Sequence, residues 1–393
     1  MSDANATQAS RRQSIQYVIK ISKFCNLRCT YCYEYAELGR KERMSLDKIA
    51  AFFHHALDYA LEEKLEYLDF IWHGGEPFLI PIAMYDAIGN MQREILGDKV
   101  AYQNVAQTNL TILTDKHLEL LKSQRFFRGI GVSFDVYGDQ RVDKGGMLKT
   151  ETVIRNMNRL LEANIEFGAI AVLARNTLPH TRQIYRFYDQ LGISCRFLPF
   201  YVSAFETQAT HALTFNEMTT ALAAVFDDWL TSDTATTVDP VQDYIEAAVA
   251  VMTGRKRTTY HKYSDEIVFL INTDGATYGV ADCYDPAYKY GNLFDEPMRT
   301  LLDSPGRMRA VRESEERLEQ YCKRCPYFGY CPSDFVVDAT LEQRRLLDAA
   351  GCPVRHMITH IMQRLQKTGL STLFEGHSET SGRHKSAALS VPL

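Results

Sequence analysis

The chain has 393 residues, of which 46% are apolar and 24% charged, with a formal net charge of -5. This composition is typical of a globular protein. The length exceeds the ~250–300 residues that one hydrophobic core usually serves, so one large and one smaller domain are expected. The negative charge and the lack of a basic run beyond Arg11-Arg12 do not suggest nucleic-acid binding. No apolar stretch is long enough for a membrane span or a signal peptide, which favours a cytoplasmic protein with no membrane partner.

The first half of the chain predicts strands that alternate with helices, after a disordered polar tail over 1–14. Apolar runs predict strands at 15–22, 67–72, 101–108, 128–135, 167–174 and 193–200. Helix-period segments between them predict helices after Ser45, at 81–96, after Thr114, at 149–163 and at 178–191. The alternation indicates an α/β fold with a parallel sheet. Six units are fewer than the eight of a closed barrel, so residues 15–213 are predicted to form a partial (βα)6 TIM-like barrel.

The second half of the chain predicts a different organisation. Residues 214–264 predict a helical bridge with an apolar face. Residues 266–280 predict a β-hairpin with Asp274-Gly275 as its turn. They open a small, loop-rich domain over 265–374 that requires metals or cross-links for stability. A second disordered tail is predicted over 375–393.

Several polar segments follow predicted strands directly. Parallel α/β sheets place their sites at the carboxyl ends of the strands. Four segments share that position: Cys25–Cys32, Gly74–Pro77, Thr108-Asn109 and Ser133–Asp135. Their convergence predicts one site at this end of the sheet.

Nine cysteines are present, and in a reducing compartment clustered thiols more often bind metal than form disulfides. Cys25, Cys29 and Cys32 form a Cys-x3-Cys-x2-Cys motif directly after the first strand. Three thiolates can ligate three irons of a [4Fe–4S] cluster and leave the fourth iron open. A structural zinc site requires four ligands, a redox pair does not need Cys25, and three buried structural cysteines are the remaining alternative.

This motif, with the aromatic Tyr31 before its last cysteine, resembles the radical S-adenosylmethionine (SAM) superfamily. The resemblance implies that SAM chelates the open iron. It also implies that one electron cleaves SAM to methionine and a 5′-deoxyadenosyl radical, which abstracts a hydrogen from the substrate. The cofactors then supply the reactive chemistry, and the protein positions and protects them.

Gly74-Gly75-Glu76-Pro77 resembles the GGEP motif of this superfamily, which contacts the SAM amino group. Glycines allow the backbone to approach a ligand closely, and Glu76 can accept charge-assisted hydrogen bonds from an ammonium group. Without the cysteines, this tetrapeptide would be read as an ordinary turn.

Three further segments resemble SAM-contacting strand ends. The resemblance implies ribose contacts, and an adenine contact at Leu198 for which core packing is an equal alternative. The residues concerned are Thr108, Asn109, Ser133, Asp135 and Leu198. Leu110 and Val136 stand where this superfamily usually has glycine.

A second group of cysteines comprises Cys322, Cys325, Cys331 and Cys352. Four thiolates can close completely around a metal, and spacing alone leaves a zinc site open. The segment, together with Asn272–Gly275 and Gly291–Leu293, resembles the SPASM extension of radical SAM peptide maturases. That resemblance implies an auxiliary [4Fe–4S] cluster at these four cysteines.

Two SPASM cysteines are replaced, by Glu296 and by Phe335, so one auxiliary cluster is predicted rather than two. Cys283 near the hairpin is then a leftover ligand, a labile ligand of a degenerate site, or inert. Cys195, within a predicted strand, is expected to be a small core residue. Asp282 and Asp285 flank Cys283 and are predicted catalytic acid–base residues, with solvated loop residues as the alternative.

The resemblance implies a maturase that acts on a ribosomally made precursor peptide and takes electrons from a flavodoxin- or ferredoxin-type donor. An auxiliary cluster that accepts an electron favours an oxidative side-chain cross-link, as a carbon–carbon cyclophane or a thioether. Only 24 residues precede Cys25, so a separate leader-binding domain is not expected there.

Three other functions remain open. An anaerobic sulfatase maturase would oxidise a cysteine or serine to formylglycine, although the missing auxiliary cysteines count against it. A radical SAM dehydrogenase would act on a small molecule. A non-catalytic iron–sulfur or zinc scaffold would lack SAM cleavage.

Overall fold

The computed structural model describes residues 12–202 and 209–369. The predicted tail at 375–393 and residues 1–11 of the tail at 1–14 lie outside the described residues. Across these two ranges, no helix combines the length and apolar character needed to cross a membrane.

Six parallel strands with intervening helices form the first half of the protein. The strands are β1 (Ser14–Lys20), β2 (Tyr67–His73), β3 (Ala101–Thr108), β4 (Phe127–Ser133), β5 (Gly168–Leu173) and β6 (Cys195–Pro199). The helices are α1 (Leu46–Glu63), α2 (Ile82–Ile95), α3 (Asp115–Ser123), α4 (Thr150–Glu162) and α5 (Thr181–Gln190). Neighbouring strands pair in chain order and in parallel, which confirms the predicted α/β class and its six βα units.

The second half adds helices and short strands to this sheet. The helices are α6 (Phe215–Trp229), α7 (Val241–Thr253), α8 (Lys262–Asp265), α9 (Met298–Leu302), α10 (Pro305–Arg317), α11 (Asp334–Val337), α12 (Leu341–Ala350) and α13 (Pro353–Lys367). The strands are β7 (Val238–Asp239), β8 (Val268–Ile271), β9 (Ala276–Gly279) and β10 (Gly291–Asn292). The predicted hairpin is present as β8 and β9, and β8 also pairs in parallel with β1. The sheet order is therefore β10-β9-β8-β1-β2-β3-β4-β5-β6-β7.

Capping side chains define where the helices begin. Ser45 Oγ accepts a hydrogen bond from the Lys48 amide at the start of α1. Thr114 and Thr214 form capping boxes at the starts of α3 and α6. Side chains that satisfy free amide groups at helix starts fix the helix boundaries, which is why the helices predicted after Ser45 and Thr114 begin as expected.

The two faces of β1 have different roles. Tyr17 packs outward against Phe52 of α1 and Phe70 of β2, with ring centroids 5.1 and 5.8 Å away. Burial of large apolar side chains contributes about 1.5–3 kcal/mol each, so this layer between helices and sheet supplies much of the stability. On the inward face, Val18 belongs to a small apolar cluster, and Lys20 follows it at the carboxyl end of the strand. The interior of the partial barrel is thus apolar around Val18 and polar at the carboxyl ends of its strands.

Candidate active site

The first three cysteines lie on a compact loop directly after β1. Cys25, Cys29 and Cys32 pack with Leu27 and Tyr31 in one apolar cluster. The Cys25 amide donates a hydrogen bond to the Leu38 carbonyl at 3.2 Å. The Arg28 guanidinium donates to the Cys25 carbonyl at 2.9 Å. These bonds fold the loop back on itself and gather the three thiols on its inner side.

Burial raises the pKa of all three thiols, that of Cys25 to about 12. Glu76 and Cys29 raise the pKa of Cys25 further, and Cys29 also raises that of Cys32. Cysteine thiols bind metals as thiolates. Buried thiolates repel one another, so these three cysteines need a bound cation to stay deprotonated. The loop therefore has the donor set that an iron–sulfur cluster requires. In the described ranges, no three His, Cys, Asp or Glu side chains converge on a site for a single metal ion.

The glycine turn after β2 lies directly against the cysteine loop. The Gly75 amide donates to the Ser22 carbonyl at 2.8 Å, and the Glu76 amide donates to the Phe24 carbonyl at 3.0 Å. A Cβ atom on Gly74 would lie 2.1 Å from the Ser22 oxygen, and one on Gly75 would lie 2.2 Å from the Phe24 oxygen. Only glycine allows this backbone contact, which positions Glu76 beside the cysteines.

Glu76 is buried, with hydrogen bonds on both carboxylate oxygens. It accepts from the Thr108 hydroxyl at 2.7 Å, the Asn109 amide at 2.8 Å and the Phe78 amide at 2.8 Å. Burial raises its pKa to about 7, although these hydrogen bonds oppose the shift. The Asn109 side chain lies 3.6 Å from Cys25 Sγ. Four predicted site residues thus form one connected group, next to Pro77, which begins a short 3-10 helix.

A second connected group lies at the carboxyl end of β4. Asp135 accepts a hydrogen bond from the Tyr31 hydroxyl and forms a buried ion pair with Arg141 at 3.1 Å. Its other oxygen accepts from the Val172 amide at 2.8 Å. Ser133, the remaining predicted residue of this strand end, accepts from the Gln107 side chain at 2.7 Å. Tyr31 and Asp135 are therefore direct partners, which their sequence positions did not indicate.

Two residues that replace the expected glycines keep a glycine-like backbone. Leu110 has φ 54° and Val136 has φ 64°, both in the left-handed region. This conformation costs a non-glycine residue roughly 1–2 kcal/mol. Leu110 is fully buried in the core, and Asn156 donates to its carbonyl at 2.9 Å. Burial offsets the strain, so the loop keeps its shape without glycine.

The four cysteines of the second group line one pocket. They are Cys322, Cys325, Cys331 and Cys352. Burial raises the pKa of Cys322 and Cys352 to about 11 and that of Cys331 to about 12. Cys322 ends a π-helical turn, and Cys352 directly precedes α13. Segments distant in sequence therefore contribute four cysteines to the lining of one pocket.

A cavity of about 170 Å³ lies between Cys331 of this second group and strand β6 of the barrel. Leu198 and Pro199 of β6 line one side, and Cys331 and Pro332 line another. The cavity connects the carboxyl end of a barrel strand to the four-cysteine pocket. Leu198 thus borders a cavity that reaches Cys331 of the second group.

The residues around Cys283 have protein partners. Asp282 is buried and forms an ion pair with Arg344, and burial raises the pKa of its carboxyl. Asp285 accepts a hydrogen bond from the Ala287 amide at 2.9 Å. The Cys283 thiol lies 3.2 Å from the Tyr201 hydroxyl, and burial raises its pKa to about 12. Cys195 is buried in β6.

A buried polar network at the carboxyl end of β1 was not predicted from the sequence. The Lys20 ammonium pairs with Glu34 at 3.0 Å and lies 3.3 Å from His73 Nδ1. Tyr284 donates its hydroxyl to Glu34, and the Tyr33 hydroxyl contacts Lys20. Two signals were available, namely a lysine within an apolar strand and a glutamate two residues after the last cysteine of the motif. The network links the first cysteine loop to the Cys283 segment.

Residues 19–188 match the family model of the Radical SAM superfamily. The chain contains a radical SAM domain. Enzymes of the radical SAM superfamily use a [4Fe–4S] cluster and SAM. The matched residues contain the cysteine loop, the Glu76 turn and the strand ends with Asn109 and Asp135.

Curated relatives extend beyond the radical SAM domain. The cysteine-type anaerobic sulfatase-maturating enzyme of Clostridium novyi is 24% identical over 332 residues, covering 82% of this chain and 87% of the relative. The cysteine-type enzyme of Clostridium perfringens is 21% identical over 318 residues, covering 79% and 85%. The serine-type enzyme of Bacteroides thetaiotaomicron is 23% identical over 349 residues, covering 80% and 81%.

Solved structures share the fold around this radical SAM domain. Native anSMEcpe with bound AdoMet and Cp18Cys peptide has a TM-score of 0.73 at 19% identity, covering 92% of this chain and 99% of that chain. Streptococcus suis SuiB has a TM-score of 0.56 at 13% identity, covering 87% and 75%. At these identities the similarity establishes the fold alone.

Gly75→Ala tests the contact between the glycine turn and the cysteine loop. Its methyl group would overlap the Lys23 and Phe24 carbonyls, so we expect a clearly lower thermal unfolding midpoint. Gly39→Ala is the matched control, because a Cβ there meets nothing within 4 Å. Equal midpoints for the two variants, measured by calorimetry, would show that the contact does not constrain the loop.

Lys20→Met tests the buried ion pair. Leaving Glu34 buried without its cation should cost roughly 3–5 kcal/mol of unfolding free energy. The double variant Lys20→Met/Glu34→Gln should lose less than the two single losses combined, as urea unfolding of cluster-free protein would measure. Arg125→Met, which breaks an exposed pair with Asp86, should cost under about 1 kcal/mol. Additive losses at Lys20 and Glu34 would contradict the coupling.

Proposed function

We propose that this chain is a radical SAM peptide maturase of the sulfatase-maturating type, which oxidises a cysteine or serine side chain to formylglycine. One structural observation carries the proposal. Three cysteines gather on the loop after β1, and four others line a separate pocket in the second half of the chain. The relatives named above, matched over about four-fifths of this chain, favour this substrate chemistry over a cross-linking reaction.

In this proposal, Cys25, Cys29 and Cys32 hold the catalytic cluster. When bound, the cluster and SAM supply a 5′-deoxyadenosyl radical. Glu76 and the backbone at Gly74, Gly75 and Pro77 receive the amino group of SAM. The buried carboxylate suits this role because its hydrogen-bond partners fix its orientation in advance.

We assign the remaining predicted SAM contacts either to the ribose or to the adenine of SAM. Thr108, Asn109 and Ser133 lie at adjacent strand ends and offer polar groups for the ribose. Asp135 also supports the ribose side indirectly, because it accepts a hydrogen bond from Tyr31 and forms an ion pair with Arg141. Leu198, whose side chain is apolar, is our candidate for the adenine contact.

The second group, which we interpret as SPASM-like, would hold one auxiliary [4Fe–4S] cluster. Oxidation of a –CH2SH side chain to a thioaldehyde removes one hydrogen atom, one electron and one proton. The hydrogen atom goes to the radical, and the four-cysteine pocket would hold an acceptor for the electron. Water then replaces the sulfur as hydrogen sulfide, which leaves the aldehyde. The same removal from a serine –CH2OH gives the aldehyde directly.

The proton in this oxidation requires an acceptor. Asp282 and Asp285 remain our candidates. The partners of Asp282 and Asp285 constrain this role, because Asp282 is ion-paired with Arg344 and Asp285 accepts from a backbone amide. Asp285 is only half-buried, which leaves part of its carboxylate accessible.

An oxidative cross-link, either a cyclophane or a thioether, is the second candidate. It is favoured by the two positions where auxiliary cysteines are replaced. Glu296 accepts a hydrogen bond from the Asn292 amide at 3.0 Å. Phe335 packs on Phe215 with ring centroids 5.6 Å apart. Glu296 thus holds the backbone, Phe335 packs in the interior, and one complete four-cysteine set remains. Either reaction would take place on a peptide in the cytoplasm, with a flavodoxin- or ferredoxin-type electron donor.

Anaerobic reconstitution should give about eight irons per chain, from two four-iron clusters. Replacing Cys25, Cys29 and Cys32 with alanine should leave about four irons and abolish 5′-deoxyadenosine formation. Cys325→Ala should spare much of that cleavage but stop the completed product. Cys195→Ala, in β6 outside both groups, is the control and should keep all the iron. Unchanged product with Cys325→Ala would contradict the electron-acceptor role.

Peptides carrying a single candidate cysteine or serine test the substrate chemistry. A sulfatase-type product is an aldehyde that reacts with a hydrazide probe, with sulfur exchanged for oxygen when the substrate is cysteine. A cross-linked product loses two hydrogens, does not react with the probe and resists fragmentation between the joined residues. Mass spectrometry distinguishes the two. A hydrazide-unreactive product with a new cross-link would replace our main proposal with the second.

A further inference from the structure

Two surface loops pack against the segment that carries the first cysteine loop. Residues 39–43 return to the end of β1, where Arg43 forms a β-bridge with Ser22. Residues 140–149 form a small turn that bridges Leu27 through Asp143. The Arg28 amide donates to the Val142 carbonyl at 2.7 Å. Both loops are therefore fixed against the segment that carries the cysteines.

The two loops meet at Phe24, which directly precedes Cys25. The Lys41 ammonium lies 5.9 Å from the centre of the Phe24 ring, and the Lys144 ammonium lies 5.0 Å from it. Phe24 is itself partly exposed. Two lysines from distant parts of the chain thus share one aromatic ring at the outer surface of the cysteine loop.

The surface around this ring is basic and partly apolar. We name it the basic rim and define it as Arg40, Lys41, Arg43, Lys144, Met147 and Leu148, all of which are exposed. The exposed fractions of Met147 and Leu148 are 65% and 47%. Large exposed apolar side chains beside cations are features of a protein-binding surface.

Nearby carboxylates neutralise this surface only in part. Glu37 pairs with both Lys23 and Arg40, and Asp143 pairs with Lys149. Glu42 is exposed on the loop that carries Lys41. In the part of the chain that the structure describes, Lys41, Arg43 and Lys144 have no carboxylate partner. The rim is thus a positive surface on a chain whose net charge is -5.

We propose that the basic rim is the docking surface for a small acidic protein that carries single electrons at low potential. This inference rests on the proposed function, because radical SAM chemistry requires one electron from outside the protein. In this step the carrier is oxidised by one electron, which enters at the cysteine loop, and no bond in the carrier forms or breaks. Electron transfer slows steeply with distance, so a surface directly over the loop is the effective place to dock.

Charge complementarity favours this partner. A positive rim attracts an acidic protein and orients its approach, while the negative charge elsewhere on the chain repels it. Met147 and Leu148 add an apolar contact of the kind found in short-lived complexes. An acidic segment of the substrate peptide is the competing occupant, and the test separates the two.

The experiment compares two reductants in Lys41→Glu/Lys144→Glu. With purified flavodoxin and its reductase, 5′-deoxyadenosine formation at low salt should fall at least ~10-fold, because the charge that steers association is reversed. With dithionite, which needs no docking, the rate should stay within about two-fold of the parent, since the steering term is absent. Calorimetric titration of cluster-free protein with oxidised flavodoxin should show correspondingly weaker binding.

Lys122→Glu/Arg128→Glu is the matched control. It makes the same change in charge with exposed residues at the amino end of the strands, away from the rim. We expect flavodoxin-driven cleavage and flavodoxin binding close to those of the parent. Equal losses in both double variants would overturn the proposal, because net charge rather than the rim would then be responsible.

Two further outcomes separate the possible failures. A higher KM for the peptide in dithionite-driven assays of the rim variant would assign the rim to the substrate and overturn carrier docking. Absence of SAM cleavage by the parent protein with dithionite would refute the proposed function. The titration with flavodoxin would still report on docking in that case.

Discussion

The candidate active site depends on one backbone contact, between the glycine turn after β2 and the loop after β1. Gly74 and Gly75 lie so close to the carbonyls of Ser22 and Phe24 that any side chain would collide. The contact brings Glu76 to the cysteine loop, where it also binds the end of β3 through Thr108 and Asn109. Three adjacent strand ends are thereby joined before any cofactor binds, and pre-organisation of this kind reduces the entropy lost on binding.

Buried ion pairs are a second feature of this end of the barrel. Lys20 with Glu34 and Asp135 with Arg141 are paired inside the protein. Such pairs contribute little net stability, because desolvation opposes their attraction. Their value lies in position, since each pair fixes a polar group next to the three cysteines. The Lys20 network also reaches Tyr284, so it connects the barrel to the chain segment around Cys283.

Much of the fold followed from local pattern. The alternation of apolar runs and helix-period segments predicted β1 to β6 and their helices to within a few residues. Capping at Ser45 and Thr114 fixed the starts of α1 and α3. The pattern could not indicate that β8 pairs with β1, because strand periodicity does not specify which sheet edge a hairpin joins. It also could not reveal the ion pair between Asp282 and Arg344, which lie 62 residues apart.

The amino-acid sequence alone determined the chemistry available to this protein. Thiol spacing after a strand, the Gly-Gly-Glu-Pro turn and the four later cysteines are local features, set by neighbours along the chain. Tertiary structure decided which of these groups meet. It placed Glu76 on Asn109, Tyr31 on Asp135, and two lysines on Phe24. It also gave Leu110 the backbone of glycine, because its burial and the hydrogen bond from Asn156 outweigh a local preference of only about 1–2 kcal/mol.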